Sequence, residues 1–401
     1  MTSINKREIK RAYLCVLAVC CFLHSVSGST AWLNSEVLNL TSDLLVLLPF
    51  LIMITTSGYW SKQVASTVIF GLYIGLLALA SMSPLDALNE GKYFVFFMMI
   101  SSVINGCDLS EADIKPAFKV ILMLVIICGA ILFLDPEITI SRFGFTILPG
   151  YGTTGYIGLS GMFVCAYLYK DKGFLRLLCA FIIFLSLLLM IFSGARRYLV
   201  LLALVLLIYF PVATLIFGKV SKASIRLLTA AFIFTLCILS LPGVMFYVSP
   251  VLDFLFVAFS NIDLVSGTGR FSSEDGSVSE GILAQRIVQG IEHPAGVSLG
   301  NVSNDLTGAE TDSTLMDGSI NRILYSTGII GFLLLATFLF HTFKRLNVLT
   351  LYKSPGVDRL LATIFIVFPL FFLVEDVYFI KSGTLTMFLL LRIAVLRSQR
   401  I

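Results

Sequence analysis

Residues 175–193 read LRLLCAFIIFLSLLLMIFS. After Arg176 the run carries no charge, and as a helix rising 1.5 Å per residue it matches a bilayer hydrocarbon core about 30 Å thick. Similar blocks lie near 12–28, 37–57, 64–82, 92–106, 117–134, 151–169, 198–217, 227–247, 319–341, 359–374 and 382–396. Of the 401 residues 58% are apolar and 13% charged, against roughly a quarter charged in an ordinary soluble domain, which excludes a soluble protein. A β-barrel would instead show segments of about ten residues alternating apolar and polar, and none occurs. The expectation is an all-α polytopic membrane protein with about twelve transmembrane helices.

The connections between blocks orient it. The two ends and the even-numbered connections hold 19 of the 28 basic residues. The positive-inside rule makes that side cytoplasmic and puts both termini there. The first block also has the basic start and small-residue end, Ser25 to Ser29, of a signal peptide; an uncleaved anchor is the reading taken. The eight cysteines lie in or at the ends of apolar blocks and show no disulfide or zinc spacing. No metal, cofactor or nucleic acid is expected.

Three parts of one membrane domain follow: helices one to nine over 1–248, a large polar loop over 249–318, and helices ten to twelve over 319–401. The loop faces outward by parity. It carries ten carboxylates against two arginines, a formal charge of −8, and its length marks it as functional. Within it Gly281 to Glu292 reads as an amphipathic helix, stopped by His293-Pro294.

Against that bias, the basic residues on the outer side are the informative ones: Lys92, Arg142, Arg196, Arg197, Arg270, Arg286, Arg322 and Lys381. An arginine's planar fork grips phosphate or carboxylate through paired hydrogen bonds. The alternative for each is a pair with a loop carboxylate, or a side chain reaching to a lipid headgroup. Arg196 and Arg197 occupy a turn, Ser193-Gly194-Ala195-Arg196-Arg197, too short to reach far into water, so at least one needs a partner in the bundle. Arg142 sits in Ser141-Arg142-Phe143-Gly144-Phe145, ahead of Pro149-Gly150-Tyr151-Gly152.

Three stretches resemble the O-antigen polymerase and ligase superfamily, bacterial membrane glycosyltransferases acting on undecaprenyl-pyrophosphate-linked sugars. Arg142-Phe143-Gly144 is similar to that family's arginine-glycine segment, and Ser193-Gly194-Ala195-Arg196 to its small-residue turn. The third is an ordered loop pattern: Arg286, then Glu292-His293-Pro294-Ala295-Gly296-Val297, then Asp317-Gly318, then Gly328-Ile329-Ile330-Gly331. Ligases of the superfamily carry a late-loop histidine, whereas here Thr311 to Gly318 has none and His293 comes earlier. The departure favours a Wzy-type polymerase.

The resemblance implies a GT-C-like architecture with a large periplasmic loop, in a bacterial inner membrane. It implies a polymerase that transfers a growing chain from undecaprenyl pyrophosphate to a new lipid-linked repeat. Arg196 and Arg286 would act on the departing pyrophosphate, with Arg270, Arg142 and Arg197 binding beside them. Asp317 would serve the acceptor hydroxyl as base, ahead of Asp312 and of His293, which is placed among the binding residues. As an alternative, Asp317 caps the next helix. The partners implied are the undecaprenyl-pyrophosphate-linked oligosaccharide, membrane lipids, a chain-length regulator and a flippase. The competing readings are a ligase of the same superfamily and a flippase or other transporter of lipid-linked oligosaccharide.

Overall fold

A computed structural model describes residues 3–27, 35–56, 61–81, 83–134, 139–140, 146–148, 151–169, 173–193, single positions between 198 and 209, 291–296, 299, 319–354, 356–374 and 380–400. The helices are α1 (Ser3–Ser27), α2 (Ser35–Thr56), α3 (Lys62–Ala80), α4 (Pro84–Gly106), α5 (Glu111–Leu134), α6 (Tyr151–Leu168), α7 (Phe174–Phe192), α8 (Ser319–Phe343), α9 (Val348–Lys353), α10 (Val357–Val374) and α11 (Lys381–Ser398). Each apolar block that falls on described residues is a helix, apart from 198–217, of which only single positions are described. The block at 227–247 lies outside them.

The helices run past the apolar blocks because polar residues cap their ends. The Ser61 hydroxyl accepts from the Val64 amide ahead of α3, and Asn347 does the same for Thr350 ahead of α9. Pro84 opens α4 where a missing N–H costs nothing. Before α5, the Ser110 amide and hydroxyl both donate to the Asp113 carboxylate.

Among the described residues six helices are long and apolar enough to cross a membrane: α1, α2, α3, α5, α7 and α8. Their outward faces suit a bilayer. On α2 Leu40, Leu44, Leu48 and Leu51 are exposed, and on α3 Ile69, Leu72, Leu76 and Leu79, apolar stripes that water would penalise and lipid would not. α6 holds a shorter apolar run, Thr153–Leu168, and α11 carries Lys381, Arg392 and Arg397. This is a helical membrane architecture with α11 at its centre: Lys381 to Val395 are all buried, against α1, α4, α6 and α10.

One departure from an all-α chain is small. Thr139–Ile140 pairs antiparallel with Thr146–Ile147, β-branched residues on both sides of the segment holding Arg142.

The two ends of the bundle differ. At one, Arg7 and Arg11 reach Asp113 at 2.9 and 3.4 Å, and Arg397 binds both Glu111, at 2.6 Å, and Asp358. Arg392 pairs with Asp108 at 3.4 Å. Both chain ends therefore meet at the α4–α5 connection. The opposite, distal end is where α11 begins at Lys381.

Candidate functional site

At the distal end α8 is broken. Gly328 has φ 65° and ψ −168°, non-helical values inside the helix, in a left-handed φ range that glycine adopts without penalty. The sequence reading expects an unbroken span there. Into the break fits the turn His293-Pro294-Ala295-Gly296, closed by the Gly296 amide donating to the His293 carbonyl at 2.8 Å. Gly296 has φ 88°, and a side chain on it would sit 2.5 Å from the Ser326 carbonyl oxygen. One on Gly328 would strike the Pro294 carbonyl. Two glycines thus let two backbones touch.

The break disrupts the helical hydrogen bonding around Gly328, and other groups take over. The Ile330 amide donates to the Pro294 carbonyl at 3.2 Å. The Tyr73 hydroxyl of α3 donates to the Thr327 carbonyl at 2.8 Å. Just past the end of α3, the Ser81 hydroxyl donates to the Leu299 carbonyl at 3.2 Å. Residues 293–296 and 299 of the segment read as a large polar loop are thus fastened to the bundle.

Beside the break lies a charge pair whose carboxylate is buried. Glu90, 7% exposed in the second turn of α4, accepts from Arg322 Nε at 3.3 Å and from the Ser326 hydroxyl at 3.2 Å. Across the same end Lys381 is 2% exposed. Its Nζ donates to Asp43 at 2.5 Å, Asn39 Oδ1 at 2.6 Å and Ser42 at 2.7 Å, and sits 4.7 Å from the Phe96 ring centroid. Lys92 lies 5.4 Å from the Tyr93 ring centroid.

Arg322 and Lys381 thus pair with carboxylates carried by helices, Glu90 of α4 and Asp43 of α2. Sequence reasoning passed over both. Asp43 had a usable signal, since it lies inside the block read as span 37–57, and an ionisable residue in an apolar span points to a partner or a function.

Of the predicted site residues, His293 is described: it is exposed in the turn that fills the α8 break. Arg142, Arg196, Arg197, Arg270, Arg286 and Asp317 lie outside the described residues, as do Asp312 and most of the amphipathic segment Gly281 to Glu292. Their flanks are informative. The Leu148 amide, next to the strand that follows Arg142, donates to the Phe192 carbonyl at 2.9 Å, one residue before Ser193-Gly194-Ala195-Arg196. On either side of Arg196 and Arg197, Ser193 and Tyr198 are fully buried. Tyr198 meets Tyr156 of α6 edge-on, ring centroids 5.8 Å apart.

No family model matches the chain. No curated protein matches it either.

Proposed function

We propose that this chain is a membrane glycosyltransferase that polymerises lipid-linked oligosaccharide repeats, an O-antigen or related surface polysaccharide, at the periplasmic face of a bacterial inner membrane. It would cross that membrane about twelve times with both termini in the cytoplasm. One observation carries the reading: parts or flanks of the stretches singled out by their likeness to such polymerases touch in two places. His293 to Gly296 packs on Gly328 and Ile330, and the flank of the Arg142 segment bonds the flank of the Arg196 turn.

In this reading the growing chain leaves undecaprenyl pyrophosphate for the terminal sugar hydroxyl of a new lipid-linked repeat. A glycosidic bond forms at the anomeric carbon as the bond to pyrophosphate breaks, and the electron pair departs with the phosphate. Arg196 and Arg286 are assigned to that growing charge, Arg270, Arg142 and Arg197 to binding beside them, and Asp317 to the proton of the acceptor hydroxyl. His293 lies among the groups that would bind sugar or phosphate.

A second reading has a specific observation behind it. Helices broken within the membrane also form the substrate sites of transporters, so the α8 break suits a lipid-linked oligosaccharide flippase. Surface polysaccharide in a deletion strain separates the readings. Single repeats capping the outer acceptor support the polymerase. Lipid-linked repeats retained inside support the flippase, and finished polymer left on its carrier supports a ligase.

A further inference from the structure

The break at Gly328 divides α8 into a short distal piece, 319–327, and the long remainder. A helix of nine residues does not hold itself together in isolation, since those under about a dozen are marginal. Because helical geometry fails at Gly328, the long remainder does not aim the piece. Its buried apolar residues, Ile323 and Leu324, anchor it through a force that has no direction. What aims it is polar: Arg322 and Ser326, four apart and so on one face, both donate to Glu90, while Tyr73 holds the Thr327 carbonyl.

Glu90 is costly where it is. A carboxylate taken from water into an apolar bundle demands charge-assisted hydrogen bonds in return, and for packing alone an apolar side chain would serve as well. The same cluster leads directly to the α8 break, since Ser326 lies two residues ahead of Gly328 and its carbonyl faces Gly296.

We propose that Glu90 is a positioning residue of the glycosyl-transfer site: it sets the direction of the half-helix 319–327, which carries Arg322 and whose Ser326 carbonyl meets Gly296 of the docked turn. The inference rests on the polymerase reading for what is positioned. The pinning itself stands on the distances above.

The experiment uses the full chain in lipid nanodiscs, with hydrogen exchange of the 319–327 amides measured beside polymer formation from a lipid-linked repeat. In Glu90→Ala those amides exchange about tenfold faster or more, the scale set by losing charged hydrogen bonds, while 331–343 and α4 keep their protection. Polymerisation shows kcat lowered by about the same factor at unchanged KM. Glu90→Gln keeps an acceptor for Ser326 and recovers most of both, and Ser326→Ala shows a smaller change in the same direction. Unchanged exchange in Glu90→Ala, or equal loosening throughout α4 and α8, overturns the proposal. A wild-type chain that makes no polymer counts against the enzyme reading instead, and the exchange arm still decides what Glu90 does.

Discussion

The carbonyl of Pro294 accepts the amide hydrogen of Ile330 at 3.2 Å, so a turn in the long polar segment mends a break in a helix that begins 25 residues later in the chain. That contact requires both Gly296 and Gly328, at φ 88° and 65°.

Gly328→Ala and Gly296→Ala should each destabilise the protein by about 1–3 kcal/mol, from left-handed backbone strain added to the clash with the opposing segment. Thermal unfolding in detergent measures it. Equal melting temperatures for both variants and the wild type would mean that the two backbones do not meet.

Breaking the pair at the start of α11 is expected to cost more than removing it whole. Lys381→Met alone leaves Asp43 without its cation and should cost about 3 kcal/mol, whereas Lys381→Met combined with Asp43→Leu recovers part of that loss. A double-mutant cycle on unfolding free energy reads the coupling, and strict additivity would show that the pair does not interact.

At the opposite end, Arg397 ties α11 to Glu111 of α5 and Asp358 of α10. Arg397→Ala should lower stability by about 1–2 kcal/mol at low salt. The deficit should shrink in concentrated salt, because this cluster is partly exposed and therefore screened. A deficit independent of salt would assign the loss to packing of the side chain's stem.

For the chemistry, Arg196→Ala, Arg286→Ala and Asp317→Asn should each shorten or abolish the polymer ladder, with rates down on the order of a hundredfold, the scale of losing one preorganised electrostatic group. Ladders of wild-type length from all three, at normal protein levels, would remove those residues from the site.

Much of this was legible in the chain itself. Continuous apolar blocks located the helices within a few residues at most ends, as in 37–57 against Ser35–Thr56 and 175–193 against Phe174–Phe192. The misses lie where polar residues prolong a helix beyond its apolar block. α1 starts at Ser3 because Lys6 to Arg11 continue it, and α5 starts at Glu111 because Ser110 and Asp113 cap it. The candidate site was legible only as separate motifs: nothing in His293-Pro294-Ala295-Gly296 announces that its backbone meets Gly328.

Hydrophobicity acts residue by residue, so the sequence by itself determined that this chain is helical, apolar enough for a membrane, and basic at its ends. Pairing is different in kind. That Glu90 faces Arg322, that Lys381 faces Asp43, and that a loop turn completes a broken helix are contacts between residues up to 338 positions apart. Only the packing of the helices decided them, because a buried charge takes the partner that the fold brings within hydrogen-bond reach.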